Sequence, residues 1–209
     1  MKLLDTTGNG NSKIAKTQAL TSGIRLAQLS LHPDNELCPG SKAAQCMDDC
    51  LLYSGLAAVY DSVNEARARK SEFFKTDESG FLDQLRRELH NFLKLCAKLG
   101  LTPWVRLNVL SDVAYEKYGI PQEFPELNFY DYTKRAARLL KTPPNYHLMF
   151  SYSGASKYHN QVLKAFDTGV PIATVFRGPM PETFLGRPVV NGDQSDLLNL
   201  SQSGKIIGL

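Results

Sequence analysis

No stretch of the 209-residue chain approaches the roughly 20 consecutive apolar residues that a membrane-spanning helix needs, so no bilayer-crossing segment is expected. The first five residues carry two charges and no apolar run follows them, which predicts no secretory signal peptide. Neither sign of charge dominates: 24 Lys and Arg stand against 21 Asp and Glu, and the basic residues gather only locally, at Arg67, Arg69, Lys70 and at Lys134, Arg135, Arg138. That balance does not indicate nucleic acid as a partner. Cysteine is scarce, four residues in all. The tight Cys-x2-Cys knuckles common in structural zinc sites are missing, and so is the cysteine density of a small secreted disulfide scaffold. Internal repeats and low-complexity runs are missing too. These absences together predict a protein of a reducing cytoplasm.

The few cysteines are not scattered. Cys38, Cys46 and Cys50 fall within thirteen residues, in the run Cys38-Pro39-Gly40-Ser41-Lys42-Ala43-Ala44-Gln45-Cys46-Met47-Asp48-Asp49-Cys50. Cys46 and Cys50 are four apart, so a helix from Met47 would put both thiols on one face of its first turns. Pro39 and Gly40 are turn formers that let the preceding loop fold Cys38 back over the helix start. The free N–H groups and dipole of a helix N-terminus favour thiolate over thiol. Clustered thiols in a reducing compartment are metal ligands or redox groups more often than disulfides. Three cysteines without an evident fourth suit an iron–sulfur cluster, either [3Fe–4S] or [4Fe–4S] with one iron open to another ligand. Zinc, with His32 or Asp48 as the fourth ligand, is the alternative.

With 43% hydrophobic residues the chain is long enough for a full core, and one α/β domain over 1–209 is expected, with the polar residues 1–20 as a loop or arm packed on it. Residues 24–31 alternate apolar and polar, a strand signature, and lead directly into the cysteine loop. A Leu-rich helix is predicted over 47–60, and a more polar one over 61–75 with Glu65, Arg67, Arg69 and Lys70 facing solvent. The clearest helix follows: Asp77 or Ser79 caps it, Phe81, Leu85, Leu89, Phe92, Cys96 and Leu99 form its apolar stripe, and Gly100 stops it. Cys96 therefore reads as a core residue and not a fourth ligand. Further strands are expected at 104–110, 127–132, 146–152, 171–176, 188–190 and 205–208, with helices over about 134–141 and 157–167.

Strands separated by helices predict parallel βα units: a (βα) barrel or partial TIM-like barrel with surrounding helices, or else an open doubly wound sheet. In either, polar residues just after the strands collect at one face. Those residues are the cysteines, Asp112, Lys134, Ser151, Ser153, Arg177 and Asp193. Asp112 is a candidate general base, cation ligand or helix cap. Lys134, beside Tyr132, is a candidate for a phosphate or carboxylate or for tuning a cluster, and otherwise a solvated residue opening a basic helix. Arg177 is a candidate for an anion or for pairing with Asp193. Asp193 and Asp196 read as a turn after Asn191-Gly192, His147 as a satisfied core histidine, and His90 and His159 as surface residues.

The ordered set Gly10-Asn11-Ser12-Lys13, Cys38-Pro39-Gly40, Cys46, Cys50, Arg106-Leu107-Asn108, Ser111-Asp112, Phe129-Tyr130-Asp131-Tyr132-Thr133-Lys134, Asn145-Tyr146-His147-Leu148 and Asn191-Gly192-Asp193 with Asp196 resembles an uncharacterised bacteriophage family, the gene-product-88-type proteins, over nearly the whole chain. The resemblance implies a phage protein made in the host cytoplasm and brings no established activity. A more distant likeness is to the radical-SAM superfamily, whose partial barrel carries a three-cysteine loop after its first strand. The loop's position is similar, but Cys-x7-Cys-x3-Cys departs from the Cys-x3-Cys-x2-Cys of that superfamily, and no Gly-Gly-Glu-like segment follows the second strand. The expected function is therefore an iron–sulfur protein with a redox, electron-transfer or cluster-dependent catalytic role and a small-molecule or redox partner. The opposing expectation is a zinc-stabilised module that engages a host protein or nucleic acid through its basic segments.

Overall fold

The two long helices follow from local signals. In the computed structural model, which describes residues 1–6, 18–27, 37–47 and 60–209, they are α1 (Asp61–Thr76) and α2 (Glu78–Leu99). The Asp77 side chain accepts a hydrogen bond from the Gly80 backbone N–H at 2.9 Å, and Gly100 ends α2 at φ +66°, a conformation that favours glycine. Phe81, Leu85, Leu89, Phe92 and Cys96 are buried on one stripe, whereas Leu99 turns out to solvent. Cys96 lies inside this core, and burial pushes its thiol pKa up.

Nine strands make one sheet in the order β1-β2-β3-β4-β5-β6-β9-β8-β7. They are β1 (Leu4–Thr6), β2 (Ala19–Ile24), β3 (Thr102–Arg106), β4 (Asn128–Thr133), β5 (Tyr146–Ser151), β6 (Ile172–Thr174), β7 (Thr183–Phe184), β8 (Arg187–Asn191) and β9 (Ile206–Gly208). Strands β2 to β6, with β9 and β8, run parallel; β1 pairs antiparallel with β2, and β7 with β8. The helices between them include α3 (Ile120–Glu123), α4 (Ala136–Leu139) and α5 (His159–Asp167), while α6 (Asp196–Asn199) precedes β9.

The sheet is open, which corrects the barrel expectation. Both flanks of the parallel array are occupied by antiparallel additions, β1 on β2 and β7 on β8, so the first and last parallel strands do not pair with each other. From β2 to β6, however, each strand adds beside the last. Right-handed crossovers in such an array fall on one face, as in a barrel wall.

Strand alternation separates the two faces. Leu20, Ile24, Val105, Leu107, Phe129, Tyr146 and Leu148 pack against Phe74 of α1 and the stripe of α2, and Phe150, Ile172 and Ile206 pack against Ala136 of α4 with Val162 and Ala165 of α5. The neighbours Met149, Ala173 and Ile207 point the other way and meet Tyr132, Val190 and Leu200, just after α6. The chain passes from β6 to the far edge and returns to insert β9 between, and this reversal delivers α6 to the second face.

Other departures have identifiable causes. The strand expected at 24–31 is β2, ending at Ile24; residues 28–36 lie outside the described residues. Its Ser22 and Gly23 are weak strand formers alone, but pairing with Val105 and Arg106 overrides that preference. A Cβ at Gly23 would sit 2.9 Å from Val109 Cγ2. Within the expected arm, Leu4–Thr6 forms β1, because the Glu88 carboxylate accepts from Leu3 N–H (2.9 Å) and Leu4 N–H (2.7 Å) while Lys70 Nζ donates to Leu3 O (3.0 Å). Lys70, expected in solvent, is consequently buried. The 47–60 helix falls almost wholly outside the described residues.

Candidate functional site at the strand ends

The cysteine loop begins as its sequence suggests. Ser41 N–H donates to Cys38 O at 3.1 Å across Pro39 and Gly40, and Ala44 N–H to Gly40 O at 3.0 Å, so 38–46 winds into a compact series of turns. Cys46 N–H donates to Ser41 O at 3.2 Å, and the Cys46 thiol lies 3.8 Å from that same carbonyl. Cys50, Asp48 and His32 lie outside the described residues. Among the described residues no three His, Cys, Asp or Glu side chains are grouped so that they could hold a metal ion, so a metal bound by Cys38 and Cys46 needs a further ligand, such as Cys50, from beyond them.

Three contacts seat this loop over the C-terminal ends of the parallel strands. Asp112 N–H donates to Leu37 O at 2.7 Å, and Ser153 Oγ donates to Ala44 O at 2.7 Å. Gly40 lies so close to the segment after β4 that a Cβ there would be 2.9 Å from Lys134 Cβ. Tyr158, buried in the short 3-10 turn before α5, donates its hydroxyl to Lys134 O at 2.6 Å. Burial raises the Tyr158 pKa, and the charges of Asp112, Cys46 and Cys38 add to it. Lys134 Nζ lies 3.1 Å from Ser151 Oγ and 5.6 Å from the Tyr158 ring centroid. The fold thus brings Cys38, Cys46, Asp112, Lys134, Ser151 and Ser153 to one place. Arg177 is exposed after β6 and makes no hydrogen bond or ion pair with this group among the described residues.

Beneath the loop lies a buried polar network. Asp112, 2% exposed, accepts from Thr133 Oγ1 at 2.9 Å and Lys134 N–H at 3.1 Å, and forms an ion pair with Arg138. Its oxygens are engaged by the β4–α4 turn. Arg138 also donates to Glu116 from Nε (2.8 Å) and NH2 (2.9 Å), and to Tyr146 Oη at 3.0 Å. Burial works against its charge, but the Glu116 hydrogen bond and the surrounding anions outweigh that and raise its pKa. Tyr146 Oη in turn donates to Asp131 Oδ2 at 2.5 Å, and Asn108 supplies its backbone N–H (2.8 Å) and side-chain amide (3.0 Å) to the same carboxylate. Burial lifts Asp131 to about 6, against the pull of Tyr146, Arg106, Arg138 and Asn108. Glu116, Arg138, Tyr146 and Tyr158 were not legible as site residues: the sequence marks Arg138 only as part of a basic run, and nothing near Tyr158 distinguishes it from a core aromatic.

Other candidates take ordinary places. Asn191 Oδ1 accepts from Asp193 N–H at 2.8 Å, forming the expected turn, but Asp196 starts α6 behind the Ser195 cap. His147 is half-buried with its ring 5.5 Å from Trp104, and burial lowers its pKa. His90 and His159 are exposed.

Beside the loop opens a cavity of about 750 Å³, walled in part by Tyr152, Ser153, His159, Val162, Phe166 and Leu185. Cys46, Tyr152 and Phe166 all pack against the same buried cluster, which includes Ala44, Phe150 and Tyr158. A cavity of this size is in the range of small-molecule sites. Asp112, Lys134 and Arg177 are not among its walls.

A family model described as gene product 88 matches residues 2–207, nearly the whole chain. No curated protein and no solved structure matches.

Proposed function

This chain belongs to the gene product 88 family, and we propose that it holds an iron–sulfur cluster through Cys38, Cys46 and Cys50 above the C-terminal strand ends, in a redox, electron-transfer or cluster-dependent catalytic role. The observation that carries this reading is the seating of the loop: Asp112 holds Leu37, Ser153 holds Ala44 and Gly40 abuts Lys134, so the segment bearing Cys38 and Cys46 lies over the strand ends where Ser151 engages the Lys134 ammonium. Thiolate donors suit iron–sulfur iron, and a fixed cation nearby stabilises an anionic thiolate set. Such a cluster supplies one-electron chemistry and, in the [4Fe–4S] form, an iron open to a further ligand. The chain's own contribution is to fix the loop through Asp112, Ser153 and Gly40, to keep Cys46 partly buried against the apolar cluster of Ala44, Phe150 and Tyr158, and to offer a small-molecule partner the cavity next to it. The likeness to radical-SAM proteins stays with this proposal.

The test is the iron, sulfide and zinc content of protein purified without air, with low-temperature EPR, for the native chain and a Cys38→Ala, Cys46→Ala, Cys50→Ala variant. Iron with matching sulfide that disappears in the variant supports the cluster. Stoichiometric zinc supports the alternative, a metal-stabilised binding module. For that module the relevant surface is a groove of about 310 Å³ lined by Glu116, Lys117, Arg135, Ala137, Arg138 and Lys141. Zinc is d10 and colourless, whereas thiolate-bound iron absorbs visible light, so colour separates the two at once.

A further inference from the structure

The cavity beside the cysteine loop is apolar along its length and charged at one end. One wall is a single face of α5: His159, Val162, Leu163, Phe166 and Asp167 recur at three- and four-residue spacing and span about 12 Å of helix. The other walls include Tyr152, just after β5, and Leu185, in the turn between β7 and β8. Leu163 and Leu185 are 51% and 53% exposed, an apolar surface that the chain alone leaves in water.

Leu185 is also an unusual residue for its position. Its φ is +50° and that of Gly186 is +78°, so both residues of the two-residue turn are left-handed, a geometry that favours Asn-Gly and disfavours a branched side chain. An exposed leucine in a strained turn does nothing for the folded chain by itself, whereas at a cavity wall it offers a ligand apolar contact.

Charge sets the rest of the ligand. Among the described residues no Lys or Arg lines the cavity, and its one carboxylate is Asp167. That side chain is exposed and makes no hydrogen bond or ion pair among the described residues. It stands in the last turn of α5, where the helix carbonyls favour a cation and oppose a carboxylate. Arg187, whose guanidinium lies 4.4 Å from the Phe166 ring centroid, directs its donors to Phe166 O and Val170 O and forms no ion pair with Asp167. An anionic ligand would therefore meet a like charge without a lysine or arginine on these walls to offset it, and a cationic one meets an unused acceptor.

We propose that this cavity binds an apolar primary amine, its ammonium on the Asp167 carboxylate at the C-terminal end of α5 and its body along Leu163, Phe166 and Leu185. Apolar walls supply contact area, and the single charged group fixes orientation. The proposal rests on reading the cavity as a small-molecule site and names the class of molecule; binding itself uses no metal, so this site and the cysteine loop succeed or fail separately.

Octylamine, octanol and octanoate share a chain and differ in the head group. Each is titrated into the full chain by calorimetry, with the iron and zinc content of the same sample recorded. Saturable binding of octylamine is expected, at least about threefold tighter than octanol, the worth of an exposed charge pair, with octanoate weakest. Asp167→Asn is expected to bring octylamine to the affinity of octanol and to leave octanol unchanged. Leu185→Asn is expected to weaken octylamine and octanol alike, about threefold or more, while the melting temperature holds or rises because the turn loses its strain. No saturation at millimolar octylamine, octanol or octanoate binding as tightly as the amine, an amine preference that survives Asp167→Asn, or unchanged octylamine affinity in Leu185→Asn would overturn the proposal. Metal content without amine binding refutes this site alone, and amine binding without metal refutes the cluster alone. The head-group comparison uses the native chain, so it decides the matter even if a variant fails to fold.

Discussion

Removing the Arg138 guanidinium is expected to be among the most damaging single changes in the protein. Its side chain is 4% exposed and serves Asp112, 3% exposed, and Glu116, 11% exposed. It also donates to Tyr146 Oη at 3.0 Å. Arg138→Met keeps much of the apolar stem but leaves both carboxylates without their main cation. Breaking a buried ion pair by deleting one partner costs about 3–5 kcal/mol, because the orphaned charge remains out of water. For a chain of this length that corresponds to a melting-temperature drop on the order of 10 °C. Urea unfolding followed by far-UV circular dichroism reads the change as a lower midpoint at unchanged slope. A double-mutant cycle with Glu116→Gln then tests the cause. If the penalty arises from a stranded charge, the double variant loses less than the sum of the single losses, by about 1–3 kcal/mol. A loss below about 1 kcal/mol for Arg138→Met, or strict additivity in the cycle, would refute the view that this network is closed and dry.

Three further outcomes are expected. Burial lifts Asp131 to about 6, whereas an unfolded Asp titrates near ~3.9. The folded state therefore binds the extra proton between those values, so this group's contribution is fully present below about pH 4 and falls as pH rises through 6, by on the order of 3 kcal/mol. Urea midpoints measured from pH 4 to 7 should slope less in Asp131→Asn than in the native chain, and identical slopes would reject the assignment. Cys96→Ala is expected to cost about 1 kcal/mol or slightly more through a small core cavity, with metal content unchanged; loss of metal would show that Cys96 is not merely a core residue. Gly40→Ala puts a Cβ 2.9 Å from Lys134 Cβ, and the loop must give way, so metal retention is expected to fall while the melting temperature moves by only a few degrees. Full metal retention in that variant would separate the loop's seating from its ligand role.

What could be read in advance was whatever the chain encodes locally. Helix α2 is such a case: cap, stripe and stop are written within neighbouring residues, and Asp77, Phe81 to Cys96 and Gly100 perform those parts in the fold. Strands β4 and β5 fall within about a residue of their expected places because they are apolar runs bounded by turn residues. Strand β2 was displaced because Ser22 and Gly23 carry little strand preference of their own and gain it by pairing with Val105 and Arg106 of β3. The basic run at 134–138 misled for a related reason: a cation's surroundings are set by carboxylates from other segments, here Asp112 and Glu116, and those turn Arg138 inward. The turns at Cys38-Pro39-Gly40 were legible from their residues, but the seating of that loop on Ser153 and of Lys134 on Tyr158 was not, since only the crossover from β5 to α5 brings those residues there.

The least legible feature is the pairing of Arg106 with Asp196, and topology explains it. Had the chain continued past β6 in the same direction, the segment after β8 would have joined the other helices, and the second face would have kept its strand-end arginine without a carboxylate beside it. Inserting β9 between β6 and β8 reverses the direction of the connection and carries α6 across the sheet. Leu200 then packs on Met149, Ala173 and Ile207, and Asp196 comes within 3.9 Å of Arg106. The same parallel strands therefore carry the cysteine loop over the ends of β4 and β5 and the Arg106–Asp196 ion pair on the face opposite α1 and α2. Strand alternation sends Asp131 toward Tyr146 and its neighbour Tyr132 toward Arg106, yet Asp131 still stands 3.9 Å from Arg106 and so couples the buried network to that face.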